Sequence, residues 1–289
     1  MNRKKAERRG AGIFVAAVVL ATCGVPAGAA AAVVDNLYRA QTIVTGQGET
    51  NRLMGFAHCL EDVLVKVSGD PRLIGDPRLA ALSSDVATLV TAFSYSDRMT
   101  GIPVHDEQGT RDRPYDLTAT FDRQKIDAMV RSLGLAPWGE SRPRLLVLAG
   151  MRSGRLVQVL SSDGERGGDQ RDSLLAAADK RGLPIALPSA ALLAGEKLDV
   201  ARLPKADLAR LDALARQHDG DLALAGDLVW AERSFTWTAQ WRIAWQGTTY
   251  RWRITAATFD EVFRNGMEGA EQIMSGHGRP NDFTSRANP

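Results

Sequence analysis

Residues 235–245 and 248–257 are two segments of alternating apolar and polar side chains, separated by Gln246-Gly247. Alternation about a two-residue turn predicts a β-hairpin. That turn sets Ile243 opposite Tyr250, Trp241 opposite Trp252 and Ala239 opposite Ile254. One face then carries Trp237, Trp241, Ile243, Trp245, Tyr250, Trp252 and Ile254, and the other Gln240, Arg242, Arg251 and Arg253. The next segment, 259–274, is a predicted helix whose Val262, Phe263, Met267, Ala270 and Ile273 are available to cover the hairpin. The aromatic face has two readings: a sheet face packed beneath that helix, or an exposed platform for glycan rings or a partner peptide. The arginine face also divides. Arg242 lies opposite Arg251, a like-charge pair in need of compensation. It is either a solvated face with acidic neighbours such as Asp227 or Glu232, or a docking surface for an anionic partner. Arg242, Arg251, Arg253 and Trp241 are therefore the candidate docking residues.

The amino end has the form of an export signal. Residues 1–9 are basic, 11–21 are apolar, and Pro26 and Gly28 precede an alanine run with small-residue cuts after Ala29 or Ala32. Two other outcomes stay open. No charge occurs in the 25 residues from Gly10 to Val34, long enough for an uncleaved anchor. Leu20-Ala21-Thr22-Cys23 resembles a bacterial lipobox, with Thr22 departing from its usual small residue, so Cys23 is a candidate lipidation site. The expected location is the periplasm, or the outer membrane as a lipoprotein if Cys23 is modified. Membrane contact is expected only through Cys23 or an uncleaved segment. The whole chain has 36 basic and 34 acidic residues, and the first 32 hold five basic and one acidic. Residues 33–289 thus have 31 basic and 33 acidic residues, a net of −2 that does not point to nucleic acid. They contain one cysteine, Cys59, so no intramolecular disulfide is expected.

Between these ends the pattern alternates strands and helices. A strand is predicted over 37–45 and an amphipathic helix over 50–67, with Leu53, Phe56, Leu60, Val63, Leu64 and Val67 three and four apart. The pentapeptide GDPRL occurs at 69–73 and 75–79, where Asp76 caps and Pro77 starts a helix reaching about Thr91. A polar stretch over 94–114, with a strand at its start, leads to a strand over 115–121 and a helix over 122–133. The segment 134–143 reads as a linker. Beyond it come strands at 144–148 and 156–160, a helix at 173–181, a short strand at 184–187, a helix at 204–217 and a central strand at 221–230. The continuous apolar run Arg144–Leu148 predicts a strand covered on both faces.

Several of these segments resemble the bacterial domain-of-unknown-function family 2066: LEDVLVKVSGDPRLIGDPRL (60–79), YDLTATFDRQKIDAMVRSLGLAPWGESRPRLLVLAG (115–150), AAADKRGLPIALP (176–188) and DGDLALAGDL with the Trp-rich hairpin (219–245). The resemblance implies an exported envelope protein of Gram-negative bacteria with no assigned reaction. The element order of the second half also looks like small α/β modules of envelope assembly factors, such as the amino-terminal domain of Tol-system translocation proteins.

Motifs for phosphate loops, nucleophile elbows and zinc helices are not found in the sequence. No catalytic, cofactor-binding or metal-ligating residue is assigned. Cys59 reads as a small buried residue. His58, His105, His218 and His277 have no second ligand type at metal spacing. The acids Glu61/Asp62 and Asp219/Asp221 read as solvated pairs. The composition, 44% hydrophobic and 24% charged, is that of a globular chain. The expected fold is α+β (mixed α/β) in two small domains, 33–138 and 139–275, behind a signal at 1–32 and before a flexible tail at 276–289. The second domain ends in the Trp-rich antiparallel hairpin covered by helices. The expected function is a non-catalytic interaction or assembly module with a protein partner in the envelope. The alternatives are a glycan- or peptidoglycan-binding module and an unrecognised periplasmic hydrolase.

Overall fold

The computed structural model describes residues 32–101, 113–154, 156–281 and 283–284. Cys23 and His105 lie outside the described residues. The chain is a mixed α+β protein built on two main sheets.

The first sheet comprises β2 (Arg39–Thr45), β3 (Val90–Asp97) and β4 (Pro114–Phe121), preceded by a short β1 (Ala32–Val33). Its order is β2-β4-β3, antiparallel throughout. One face is covered by α1 (Glu49–Ser68) and α3 (Arg123–Ser132), and these elements share a core that includes Phe56, Leu60, Leu64, Leu117, Phe121 and Ile126. Helix α1 forms where the three–four spacing placed it. The predicted helix beyond Pro77 is shorter than expected. Asp76 caps it as anticipated, but α2 (Pro77–Leu82) ends at Ser83. A 3-10 turn at Val86–Leu89 follows, and Val90 then pairs with Phe121. Val86 and Leu89 continue the helical period, yet they point into the core from a turn that delivers an edge strand.

The second sheet is mixed. Short β5 (Ser141–Arg142) pairs with β1, tying the start of the described chain to the segment between the sheets. Then come β6 (Leu145–Ser153), β7 (Leu156–Val159), α4 (Gly168–Lys180), β8 (Ile185–Ala186), α5 (Ala190–Gly195), α6 (Leu208–Gln217), β9 (Leu222–Ala231), β10 (Thr236–Trp245), β11 (Thr248–Ala256), α7 (Phe259–Met274) and β12 (Phe283–Thr284). The order is β12-β11-β10-β9-β6-β7, with β8 beside β6. Strand β6 is parallel to β9 and apolar on both faces for the expected reason. Leu145, Val147 and Ala149 face the core under α4 and α7, and Leu146 and Leu148 face the core under α5 and α6.

The hairpin has the expected register: Ile243 opposite Tyr250, Trp241 opposite Trp252, Ala239 opposite Ile254 and Arg242 opposite Arg251. Gln246 and Gly247 both have positive φ (47° and 78°), the geometry that lets a two-residue turn follow strand twist. Helix α7 lies directly on the indoles. A Cβ added at Gly266 would meet Trp241 at 2.5 Å, and one at Gly269 would meet Trp252 at 2.5 Å. The glycines are the reason two of the hairpin's four indoles, Trp241 and Trp252, fit beneath a helix.

Candidate functional site at the joint between the sheets

The segment 134–143 is the joint of the molecule, and its central residue is a buried cation. Arg142 is 0% exposed. Its Nε donates to Gly139 O (3.2 Å), Nη1 to Arg181 O (2.9 Å) and Gly182 O (3.0 Å), and Nη2 to Lys66 O (2.6 Å) and Trp138 O (3.3 Å). The guanidinium also lies 3.9 Å from the centroid of the Trp138 ring. All five N–H groups thus meet backbone carbonyls, several of them at helix ends. Lys66 O is in the last turn of α1, and Arg181 O and Gly182 O follow α4. The last four carbonyls of a helix have no partner within it and carry its negative pole. One arginine thus meets that need in the last turn of α1 and also holds the turn that follows α4, joining the two halves of the chain. Burial pushes Arg142 down to about 10, so it stays charged at neutral pH.

Around Arg142 lies a cluster of buried charge. Lys66 is almost fully buried and donates to Asn36 O (3.2 Å) and Arg39 O (2.9 Å). Arg181 bonds Glu268 at 2.7 Å and lies 3.8 Å from Glu271. Glu271, on α7, is fully buried, and neither of its oxygens has a hydrogen-bond partner among the described residues. Burial pushes its carboxyl up to about 8, against the pull of Arg181 and Arg142. Burial thus favours its uncharged form.

A cleft of about 570 Å³ opens beside this cluster, between β2, α1 and α4. One side is the free edge of β2. Gly46 N donates to Arg113 O and Phe121 N to Tyr38 O, which makes Ala40, Thr42 and Val44 the residues bonded to β4. Arg39, Gln41, Ile43 and Thr45 therefore turn their peptide groups away from β4. The ends of this edge are occupied. Arg39 N donates to Asn36 O (3.1 Å) and Arg39 O accepts from Lys66, while Thr45 O accepts from the Asn51 amide. Between them, the N–H and C=O of Gln41 and Ile43 have no partner among the described residues. The acids lining the cleft are engaged: Asp62 with Lys180 (3.1 Å), Asp116 with Arg98 (2.7 Å) and Asp179 with the Asn36 amide (2.6 Å). Arg39 is exposed and its side chain has no hydrogen bond or ion pair among the described residues. Ile43 is 57% exposed.

The candidates read from sequence lie elsewhere. Trp241 is 0% exposed beneath α7, and Arg242 is buried, donating to Ala206 O (3.2 Å) and Leu203 O (2.8 Å). Neither belongs to an exposed surface, and those carbonyls supply the compensation expected from a docked anion. Arg251 and Arg253 remain exposed on β11. The expected acidic neighbour Asp227 pairs with Arg152 instead (2.6 Å). Trp237 and Trp252 are buried too, so the exposed aromatic platform is corrected to a core face. Cys59 is buried, and burial pushes its thiol up to about 12. Asp221 accepts from Arg144 N (2.7 Å), and Glu61 accepts from Gly75 N (3.1 Å). Ser275, His277 and Asp70 come together where α7 meets the end of α1. Ser275 Oγ lies 2.8 Å from His277 Nδ1 and donates to Gly69 O at 2.8 Å, and His277 Nε2 is 3.9 Å from Asp70. Asp70 is held by the Nε and Nη2 of Arg72, both at 2.7 Å. The hydroxyl also lies 3.2 Å from Gln272 O, and through Gly69 O it ties α7 to the end of α1. Among the described residues there is no group of three His, Cys, Asp or Glu placed to hold a metal ion, and no helix long and apolar enough to cross a membrane.

The model of a family described as a domain of unknown function, DUF8605, matches residues 31–139. The match spans the first sheet and its helices and ends just before Arg142. It corrects the resemblance to family 2066, since DUF8605 is a different family. Segments such as strand, Phe-Asp and helix reflect general β-to-helix capping chemistry and do not discriminate between families. No curated protein and no solved structure matches the chain.

Proposed function

We propose that this protein is an exported, non-catalytic interaction module of the cell envelope, and that it receives a protein partner at the cleft between β2 and α4. The export part rests on the n-region, apolar stretch and small-residue pattern of residues 1–32. The family match adds nothing to it. The observation that carries the binding part is the state of the cleft. Its carboxylates are committed to ion pairs and to a hydrogen bond from an amide, while a stretch of strand edge and one cation have no partner among the described residues. Such a lining supplies recognition, whereas general acid or base work needs a carboxyl free to exchange its proton.

The test is affinity capture from cross-linked cell envelopes, using protein expressed with its own signal and a carboxyl-terminal tag. The wild type is compared with Arg39→Glu. A reproducible envelope protein retained by the wild type and lost from the variant supports the reading. Recovery of no envelope protein, or the same one from both, overturns it. Sedimentation with purified sacculi addresses the glycan-binding alternative, whose aromatic platform the fold has turned inward.

A further inference from the structure

We infer that the free edge of β2 takes up an extended segment of a partner protein as an added strand, and that the segment carries an acidic and an apolar side chain four residues apart. This rests on the reading of the cleft as a docking site and names the chemistry of its occupant.

Strand edges are templates for further pairing, and folded proteins ordinarily blunt them. Here the blunting is partial. Lys66 closes one end of the edge at Arg39 O and Asn51 closes the other at Thr45 O. The open interval holds four peptide groups, the N–H and C=O of Gln41 and Ile43. That is the hydrogen-bonding unit to which a short extended peptide adds. The cleft beside it, of about 570 Å³, is within the ~300–1,000 Å³ range of ligand pockets.

Side chains at 39, 41 and 43 share one face of the strand, the face turned from α1. Arg39 at one end is an exposed cation with no partner among the described residues, and Ile43 at the other is a largely exposed aliphatic side chain. Of the charged residues lining the cleft, Arg39, Lys66, Arg98 and Lys180 outnumber Asp62, Asp116 and Asp179 by one. An added strand repeats the two-residue period, so a carboxylate beside Arg39 stands four residues from an apolar side chain beside Ile43.

The test selects a heptapeptide library displayed on phage against the full exported chain. Enriched sequences are then measured as labelled synthetic peptides by fluorescence polarisation. Selected peptides are expected to carry an acid and an apolar residue four apart. Arg39→Glu is expected to weaken them about tenfold, the loss of one ion pair with added repulsion. Ile43→Pro removes a donor that faces away from β4, so the ladder to β4 survives; binding is expected to fall at least about tenfold. An N-methyl group on the peptide's central amide is expected to have a similar effect, and it needs no change to the protein. Hydrogen exchange at Gln41 and Ile43 is expected to slow when peptide is bound. No enrichment, or peptides indifferent to both variants and to N-methylation, overturns the inference. Concentration-dependent dimerisation abolished by Ile43→Pro would assign the edge to a second copy and also overturn it. If an envelope partner is still lost from Arg39→Glu while no peptide binds, the docking site stands and only strand addition fails.

Discussion

Replacing Arg142 by lysine keeps the charge and the long stem but changes the shape of the donor. The guanidinium offers five N–H groups in a fixed plane, and all five are used. An ammonium offers three from a single point. At least two of the five carbonyls are then left buried without a donor, at about 1–3 kcal/mol each. Stacking on Trp138, at 3.9 Å, is lost as well and is worth about 0.5–2 kcal/mol. Arg142→Lys should therefore destabilise the protein by about 2.5–8 kcal/mol, a large share of the ~5–15 kcal/mol typical of a folded domain. The measurement is urea unfolding followed by tryptophan fluorescence, with calorimetry in parallel. Because the lost bonds join α1 to the end of α4, the two sheets should also melt in separate steps. Arg251→Lys, on the exposed face of β11, is the control and should change stability by less than about 0.5 kcal/mol. If Arg142→Lys falls within about 1 kcal/mol of the wild type, with a single transition, the carbonyl cradle does not hold the halves together.

Glu271 predicts a pH dependence. Its folded carboxyl lies at about 8, above the ordinary 4.5, so the folded state binds the proton more tightly than the unfolded one. Stability is greatest below about 4.5 on this account and is lost as pH rises towards 8, by up to about 1.4 kcal/mol per unit; Glu271→Gln should flatten the slope measured by urea midpoints across that window. Gly266→Ala places a methyl group 2.5 Å from the Trp241 ring. Overpacking of about 1–3 kcal/mol should exceed the ~1 kcal/mol gain in helix propensity, lowering Tm and altering the near-ultraviolet dichroism of the indoles; an unchanged or raised Tm would show that α7 does not lie on them. Ala32 pairs with Arg142 in the β1–β5 bridge. Of the two proposed cuts, the one after Ala29 leaves that strand whole, and the intact mass of protein expressed with its own amino end should show it; a mass with lipid on Cys23 would replace cleavage at either alanine by lipidation.

What could be read from the sequence were the elements whose period is local. The hairpin register followed from Gln246-Gly247, and α1 from its three–four spacing. Arg242 opposite Arg251 was legible, but its partners were not. The carbonyls of Leu203 and Ala206 arrive from 39 and 36 residues away. The same limit hid the joint. Residues 134–143 have the composition of an exposed connector, and nothing local marks Arg142 as a side chain whose five N–H groups all meet carbonyls. The cleft was equally invisible, because β2 meets α4 only through tertiary packing. Glycines 266 and 269 did leave a signal. Two glycines three apart in a strongly amphipathic helix mark a close approach, and the Trp-rich face nearby says to what.

The joint also governs the order in which the molecule can be completed as it is made. A chain leaves the ribosome amino end first, and the carbonyl of Lys66 waits for a side chain 76 residues further on. That side chain waits in turn for Gly182, another 40 residues along. At ~5–20 residues per second the interval is on the order of ten seconds. Through it, every residue of the first sheet's apolar core is already made while the end of its longest helix has no arginine to close it. A polypeptide released within that window, stopping at residue 139 as the family match does, would be a finished core with an unsealed end, and the first place a protease would find purchase.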